Sequence, residues 1–589
     1  MAASIPARPA HPADSANVNA SLPASGSARP PRRRTRATPG SIATLLLTMA
    51  VAILVLFPLF MLLYGSFWSA RPGFPGELTF DNYITAYTDP FTYRLFLNTI
   101  GLMAAKTALA TALAVTMAWI VARTDAPMRG MLEVLVIFPF FVPGLLEAIG
   151  WVALLSPRAG VLNVFLRESF GLGPINIYSM GGMIWVMTLS STSLIFLLVV
   201  TAFRNMDASM EEAARASGAG QFKTAITVTL PLMAPVILNA AVLSFIRAMD
   251  SFEVPVLLGL PAKVYLFTNQ IYSTIQYDVQ PNYGLATTYG ISLFALMIVL
   301  IVIHAKLLSG KEFTVITGKG YRPQTIRLGR YKYLAFGFCV LYFLLAGALP
   351  VSQIVLGSFQ KVFGLFDWNT LTLDNYRNIF REEGAGSALL NTVVVGTTAA
   401  FFTMVLGGAI AYITTRTNYP GRRVLDVISW LPWSVPGVVL GIGMLWAYIR
   451  TPLYGTHALL FVAFLTTGLP VAVRLMSGVL QQVGRELEES SRVHGAGWWY
   501  TLFHVLLPLL NPAIMAGALI LFVGFSRTVS TVVLFSSQGT ELLSVLLFAH
   551  VLTGELQVGS ALAVILLLAN LAAVYAARRL GALGTEVVR

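Results

Sequence analysis

The sequence predicts an all-α membrane protein with twelve transmembrane helices, arranged as two parallel six-helix repeats. Of the 589 residues, 56% are apolar and only 11% are charged, whereas soluble domains carry about 25% charged residues. The apolar residues form twelve separate segments, each near the length of about 20 residues that a helix needs to cross a bilayer. Short motifs of the first half also recur in the second half.

Helices are expected in these segments because a backbone in lipid has to satisfy its own hydrogen bonds. The predicted spans are residues 41–66, 95–122, 131–156, 181–203, 231–259, 287–308, 332–357, 388–413, 424–449, 456–478, 509–534 and 557–577. Pro139, Pro143, Pro432 and Pro436 lie within the third and ninth spans and are expected to break those helices. Such breaks would serve as hinges or would be simple packing irregularities.

The segments outside the spans define the domain boundaries. Residues 1–40 are rich in Ala, Pro, Ser and Arg and contain a single acid, so we expect a disordered basic cytoplasmic tail. An organellar transit peptide would have a similar composition. The first half is predicted at residues 41–308 (core about 95–308) and the second at 332–580 (core about 388–577). A basic cytoplasmic linker at 309–331 joins them.

The distribution of lysine and arginine predicts that both termini are cytoplasmic. In that orientation the inner side receives about three times as many of these residues as the outer side, in agreement with the positive-inside rule. Because the basic residues follow this distribution, we attribute the net charge of +13 to a membrane protein and expect no nucleic-acid partner. The only cysteine, Cys339, excludes an intrachain disulfide, and the six histidines show no metal-ligand spacing.

Recurring motifs relate the two halves. LTFDNY at 78–83 recurs 293 positions later as LTLDNY at 371–376, and Asn-Thr, Arg-Thr and Pro-Gly pairs keep the same spacing. Pro58 in the first span is echoed by Pro350 in the seventh. A deletion of 16 residues in the second half then reduces the spacing to 277. Six spans per repeat is an even number, so the halves share one orientation and are related by an axis along the membrane normal.

A polar stretch, which we call the first elbow (residues 206–229), separates the fourth and fifth spans. Its segment MDASMEEAARASGAG begins with acids and is rich in alanine, which favours a short helix. Gly218 permits a sharp turn, and QFKTAITVT resumes as a helix. The second elbow (residues 485–506) occupies the same place in the other half. A duplicated elbow on the inner face suggests a docking partner that is itself a dimer.

The elbows resemble the coupling loop of permease subunits of ATP-binding-cassette (ABC) importers. The pattern is Glu-Ala-Ala, three residues, Gly, nine residues, then aliphatic-x-Leu-Pro, and the first elbow matches it with Glu212, Ala213, Ala214, Gly218, Val228, Leu230 and Pro231. The second elbow replaces the two alanines with serines, so equal coupling by both elbows is not implied. The predicted coupling residues are Glu211, Glu212, Ala213, Ala214, Gly218, Glu488, Glu489, Ser490, Ser491 and Gly495.

Over residues 41–580 the fused layout is most similar to the ferric-iron type of permease and the related 2-aminoethylphosphonate permeases. The resemblance implies a type I ABC importer transmembrane fold in the bacterial inner membrane. It also implies a separate homodimeric ATPase that uses ATP and Mg²⁺, and a periplasmic solute-binding protein. This chain would then be no enzyme and would bind no cofactor or metal. Gly310-Lys311 and Gly318-Lys319 lack the flanking residues of a Walker A loop.

Ionisable residues inside the predicted spans are candidates for the translocation path, since such residues usually face a cavity or a partner. Arg247, Asp250 and Glu253 are three apart and are expected on one face of the fifth span. Arg527 stands at the position equivalent to Asp250. We predict that these four line or gate the path, pairing when it is closed. A self-neutralising Arg247–Asp250 pair, or a site in water at the outer end of the span, would explain the same residues.

Other interpretations remain at this point. Lys106 and Glu147 are single charges in spans and favour hydrogen bonds inside the bundle over substrate contact. A twelve-span secondary transporter would also have parallel halves but needs no duplicated elbow. A membrane enzyme is disfavoured because neither a nucleophile motif nor a cluster of metal ligands is present. Ferric iron is the substrate that the resemblance favours, while 2-aminoethylphosphonate, a polyamine or another small solute stays open.

Overall fold

The computed structural model describes residues 39–206, 209–308, 325–363, 368–381 and 384–579. Most of the predicted tail and of the predicted linker therefore lies outside the described residues. Within those ranges the secondary structure is helical, apart from two isolated β-bridges. By length and composition, ten of the described helices can cross a membrane, or twelve spans form if each of two sharply bent helix pairs counts as one.

The twelve predicted segments correspond one to one to these ten helices and two bent pairs. The ten helices are Ile42–Ser66, Pro90–Arg123, Met180–Asn205, Ala225–Ala248, Tyr283–Lys306, Tyr331–Ser358, Ala385–Arg416, His457–Gln482, Trp498–Ser526 and Leu556–Ala576. Counting the bent pairs as the third and ninth, we number the spans from first to twelfth. Shorter helices outside the spans and elbows are Asp81–Thr88, Val161–Phe170, Phe267–Gln276, Asp374–Arg381 and Leu543–Leu552.

The third and ninth spans are the two bent pairs. Arg129–Phe141 meets Gly144–Leu155 at 96°, and Arg422–Ser434 meets Gly437–Tyr448 at 110°. The predicted proline breaks are confirmed. Each bend is far sharper than an ordinary proline kink because two residues with extended backbone, Val142–Pro143 and Val435–Pro436, separate the two helices. A twelve-residue arm is only about 18 Å long, so neither arm crosses a bilayer alone. The second arms are buried almost completely and form the centre of the molecule.

The predicted ends of the fifth and eleventh spans are wrong. The sequence predicts helices to residues 259 and 534, but the helices end at Ala248 and Ser526. The chain turns at Met249 and continues without regular structure to Phe252 before a short helical segment resumes. Apolar residues continue through this break, which explains why hydropathy does not reveal it. Arg247, Asp250 and Glu253 consequently do not share one helix face.

The repeated DNY motif fixes the end of the first span of each half. The Asn82 amide donates to the Ser66 carbonyl oxygen at 3.0 Å, and the Asn375 amide donates to the Ser358 carbonyl oxygen at 2.9 Å. The tyrosine that follows each asparagine bonds the hydroxyl of the same serine at 2.8 Å. Identical contacts in both halves confirm the repeat that the sequence predicts.

The repeated prolines mark where the first span of each half crosses the other half. The first span packs on Gly437–Tyr448, and the seventh packs on Gly144–Leu155. A Cβ added to Gly443 would lie 2.6 Å from the Pro58 carbonyl oxygen, and one added to Gly150 would lie 2.6 Å from Pro350. Only glycine allows such a close approach. The first span of each half therefore packs on the opposite half.

The 16-residue difference between the halves forms an additional helix. Val161–Phe170 lies between the third and fourth spans of the first half. The side chain of Asn163 holds its connections, donating to the carbonyl oxygens of Leu155 and Ile175 and accepting from the Ile175 amide. The second half passes directly from Tyr448 to the span that begins at His457.

Candidate functional site

Both elbows fold as the sequence predicts, with a helix, a tight turn and a second helix. Ser209–Ala216 is followed by Gly218 at φ 86° and by Gln221–Thr224, and Glu486–Val493 is followed by Gly495 at φ 81° and by Trp498–Thr501. A positive φ at these two positions is the reason for glycine. In each half a five-residue π-helical segment joins the elbow to the next span without a break. The second helix of each elbow is thus continuous with that span.

A buried ion pair anchors the first elbow to the end of the second span. The Arg123 guanidinium bonds the Glu211 carboxylate, and both side chains are fully buried. The Thr229 hydroxyl donates to the other oxygen of that carboxylate at 2.5 Å, and Arg215 lies 3.8 Å away. Buried charges are stable only when they are paired and hydrogen-bonded. Glu211 therefore connects the elbow, the second span and the base of the fifth span.

The second elbow has the equivalent pair in a looser arrangement. Arg416 Nε lies 3.5 Å from Glu488 Oε1, and the Tyr412 hydroxyl donates to the other carboxylate oxygen at 3.3 Å. The guanidinium of Arg416 also donates to the backbone carbonyl oxygens of Leu480 and Val483. Leu506 stands where the first elbow has Thr229, so no hydroxyl from the next span reaches the carboxylate. The charge of Arg416 is shared among more acceptors.

The predicted elbow residues divide into buried anchors and an exposed surface. Glu211 and Glu488 are buried, and Glu212, Ala214 and Ser491 are half-buried. The remaining five are exposed: Ala213, Gly218, Glu489, Ser490 and Gly495. Sequence reasoning missed the role of Arg123 and Arg416. The sequence did contain a signal for them: Arg123 recurs as Arg416 at the spacing of 293, and Glu211 recurs as Glu488 at the spacing of 277.

The end of the linker between the halves binds beside the first elbow. Ile326 is buried and forms a parallel bridge with Thr124, in which the Ile326 amide donates to the Arg123 carbonyl oxygen at 2.8 Å. The side-chain amide of Gln221, in the elbow, donates to the Arg327 carbonyl oxygen at 3.1 Å. Within the described residues the second elbow has no such contact. The first elbow is therefore held from two sides.

A cavity of about 540 Å³ lies between the two halves. The fifth and eleventh spans, both bends and the fourth and tenth spans supply its walls. All four predicted path residues line it, together with Lys106. Hydroxyl side chains also face it: Ser190, Ser191, Ser244, Ser251, Thr467, Thr528, Ser530 and Thr531. The structure thus brings the predicted path residues together around one space at the junction of the repeats.

The charged groups of the cavity pair unequally. Arg247 lies 3.8 Å from Asp250, as the local-pair interpretation predicts, and Asp250 Oδ1 also accepts from the Gly437 amide at 2.6 Å. Arg527 Nη1 lies 3.5 Å from the Phe140 carbonyl oxygen in the other bend. An Asp250–Arg527 ion pair is not formed among the described residues in this conformation. Each of these two equivalent residues instead contacts the bend of the opposite half.

Lys106 makes the interior hydrogen bonds that the sequence predicts. Its ammonium group donates to the Ser191 hydroxyl at 2.8 Å and lies 3.4 Å from the Ser244 hydroxyl. Glu147 is buried in the second arm of the first bend and does not line the cavity. Among the described residues, no group of three His, Cys, Asp or Glu side chains is arranged to hold a metal ion.

Comparisons with known proteins agree with this architecture. The family model described as "Binding-protein-dependent transport system inner membrane component" matches residues 108–310 and again residues 403–582. Each matched region begins inside the second span of its half and continues beyond the sixth. This chain belongs to that family, as a fused permease that carries both transmembrane halves.

Several relatives carry ferric-transport names. A ferric transport system permease protein of Actinobacillus pleuropneumoniae is 28% identical over 447 residues, which is 74% of this chain and 64% of the relative. A relative with a ferric-transport name in Haemophilus influenzae is 29% identical over 412 residues, which is 69% of this chain and 64% of the relative. This chain thus spans 64% of the length of each.

More distantly similar proteins have names that refer to other solutes. A sulfate transport system permease protein of Escherichia coli is 27% identical over 253 residues, 40% of this chain and 88% of the relative. A solved bacterial ABC transporter involved in alginate import covers 45% of this chain and 93% of its own, with 18% identity and a TM-score of 0.38. That structural similarity is too low to establish a shared fold.

Proposed function

We propose that this chain is the permease of an ATP-driven importer that receives solute from a periplasmic binding protein and moves it to the cytoplasm by alternating access. The observation that carries the proposal is the pair of elbows, each anchored by a buried carboxylate and continuous with a span that lines the central cavity. A homodimeric ATPase would dock on both elbows and hydrolyse ATP with Mg²⁺. Both termini would then be cytoplasmic.

Ferric iron is the proposed substrate, because two relatives that match most of this chain have ferric-transport names. The alternatives are 2-aminoethylphosphonate, a polyamine or another small solute carried by the same machinery. A secondary transporter of twelve spans is a weaker candidate, since it offers no use for two anchored elbows. The residues that would perform the coupling are the exposed ones of each elbow, with Glu211 and Glu488 holding them in place.

Site-specific cross-linking tests the docking surface. Cys339 is the single native cysteine and is buried, so an introduced cysteine can be labelled selectively. Ala213→Cys and Ser490→Cys occupy equivalent exposed positions in the two elbows, and Val279→Cys is an exposed control at the opposite end of the fold. Each variant is labelled with a photoactivated cross-linker in membranes of the native host. We expect both elbow variants, and not the control, to capture a protein with a Walker A motif.

The same three variants test orientation. A membrane-impermeant maleimide added to intact spheroplasts should label position 279 and leave positions 213 and 490 unlabelled until the cells are opened. Labelling of the elbows from outside would contradict the proposed orientation. Solute uptake driven by an ion gradient, with no ATPase cross-linked at either elbow, would contradict the importer itself.

A further inference from the structure

The charges of the central cavity are asymmetric. The first half contributes Lys106, Arg247, Asp250 and Glu253, and the second half contributes Arg527 alone. At the positions equivalent to the first four, the second half has Ala399, Gly524, Arg527 and Ser530. The lining therefore holds three basic side chains against two carboxylates, with an excess of one positive charge.

Lys106 is a buried lysine whose hydrogen-bond partners are all neutral. Its side chain is 1% exposed, and its ammonium group contacts the hydroxyls of Ser191 and Ser244. Among the described residues, no carboxylate lies within salt-bridge distance of this group. A buried charge without a counter-ion is costly. Because Lys106 lies in the cavity wall, a solute in the cavity can supply the missing negative charge.

Asp250 does not neutralise the other cations. Its carboxylate is occupied by Arg247 and by the backbone amide of Gly437, at the start of the second arm of the ninth span. At the equivalent place in the eleventh span, Arg527 stands beside the bend of the third span. One bend thus contacts a carboxylate, and the other contacts a guanidinium. Glu253 offsets part of the charge of Arg527 across the cavity, but among the described residues no carboxylate forms a salt bridge with that guanidinium. Arg527 and Lys106 both line the cavity that an anion would enter.

We propose that the cavity binds its solute through an oxygen-rich anionic group, a carboxylate or a phosphonate, which is either free or a ligand of a metal ion. This proposal rests on the proposed function and narrows its substrate class. The hydroxyls of Thr467 and Thr528 donate to backbone carbonyl oxygens, whereas those of Ser191 and Ser244 accept from Lys106 and can donate to such oxygens. A volume of about 540 Å³ suits a small solute. A bare cation or a polyamine would be repelled by the excess positive charge.

Binding to the purified full chain in lipid nanodiscs tests the proposal, measured by equilibrium dialysis and by ligand-dependent thermal stabilisation. The probes are methylphosphonate, citrate, ferric citrate and spermidine, all at up to millimolar concentration. Methylphosphonate and citrate separate the two anionic groups, and ferric citrate tests the metal complex. We expect at least one anionic probe to bind and spermidine not to bind.

Two variants locate the binding. Lys106→Met and Arg527→Gln should each weaken anion binding at least about tenfold, because each removes one charge–charge contact in a desolvated site. Lys361→Met removes a lysine on the exposed surface and should leave binding unchanged. Arg527 is only half-buried, so its variant remains informative even where Lys106→Met lowers the yield of folded protein.

The proposal is overturned if no anionic probe binds, if spermidine binds in their place, or if both variants bind anions as the wild type does. These outcomes are separate from the elbow experiment. If the protein binds no anionic probe but its elbows cross-link to an ATPase, the proposed chemistry of the cavity is rejected and the importer is kept. Anion binding without a cross-linked ATPase would reject the importer and keep the anion site.

Discussion

The two elbows have nearly the same backbone and differ in how firmly they are held. Both contain a buried glutamate paired with an arginine from the end of the second span of their half. At the first elbow, that carboxylate also accepts from Thr229, and the linker binds both Gln221 of the elbow and Thr124 after the second span. In the second, Arg416 is shared between Glu488 and two backbone carbonyl oxygens. The fold thus keeps the position of the elbow while its attachment diverges.

This difference separates two properties of the elbows, their direction and their stiffness. Direction is set by the glycine turn and by the helix that continues into the next span, and these features are equal in the two halves. Stiffness is set by the buried polar contacts, which are not equal. We therefore expect force applied to the first elbow to be transmitted with less local deformation. The following variants test that difference, beginning with the largest expected effect.

Arg123→Ala should be the most damaging single change to the attachment of either elbow. It leaves the Glu211 carboxylate buried without its partner, which costs about 3–5 kcal/mol. Arg416→Ala should cost less, about 1–3 kcal/mol, because Glu488 has a longer ion pair and keeps the Tyr412 hydroxyl. Thermal unfolding of the purified variants measures both values. Equal losses would show that the two attachments are energetically equivalent.

A double variant separates the ion pair from the packing around it. Arg123→Met combined with Glu211→Leu replaces the buried pair with apolar side chains of similar volume, which is often neutral for stability. We expect it to recover most of the stability that Arg123→Ala loses. If the double variant is as unstable as the single one, the shape of the site and not its charge balance holds the first elbow.

Thr229→Val should have an intermediate effect, because it removes one hydrogen bond to a buried carboxylate and keeps the shape of the side chain. We expect a loss of about 1.5–3 kcal/mol. Thr224→Val is the matched control, since the Thr224 hydroxyl donates to the neutral carbonyl oxygen of Gly220, and its loss should be about 1 kcal/mol. Hydrogen exchange at residues 209–229 would report the local loosening. A larger effect of the control variant would argue against Glu211 as the central anchor.

Gly218→Ala and Gly495→Ala should have small effects, and these should be equal. Both glycines have positive φ, and a Cβ at either position would meet no other atom within 4 Å. The cost is then only that of a left-handed backbone for alanine, about 1–2 kcal/mol. Unequal losses of stability would mean that the turns, and not only the attachments, have diverged.

The sequence predicts the architecture because its signals are local. Apolar length reveals each span, and the repeats of Pro58, the DNY motif and Gly218 reveal the two halves. The positive φ at Gly218 and Gly495 agrees with the turns predicted there. The structure also confirms the breaks near Pro143 and Pro436, but composition alone carries no information about an angle of 96° or 110°.

Contacts between distant segments are what the sequence could not supply. Arg123 and Glu211 are 88 residues apart, and each alone is compatible with a solvent-exposed helix end. The end of the fifth span at Ala248 was missed because Val254 to Leu260 are apolar and extend the hydropathy signal. The Asp250–Arg527 gate stays a prediction. The observed conformation contains the Arg247–Asp250 pair.

The exchange of first spans explains what fusion into one polypeptide contributes. Because the repeats are so alike, two copies of the same half could interlock by the Pro58–Gly443 and Pro350–Gly150 crossings almost as well as two different halves. Such self-assembled pairs would carry either a double set of charges around the cavity or very few. Synthesis on a single chain fixes the stoichiometry at one of each, so that every assembled molecule has the same uneven lining.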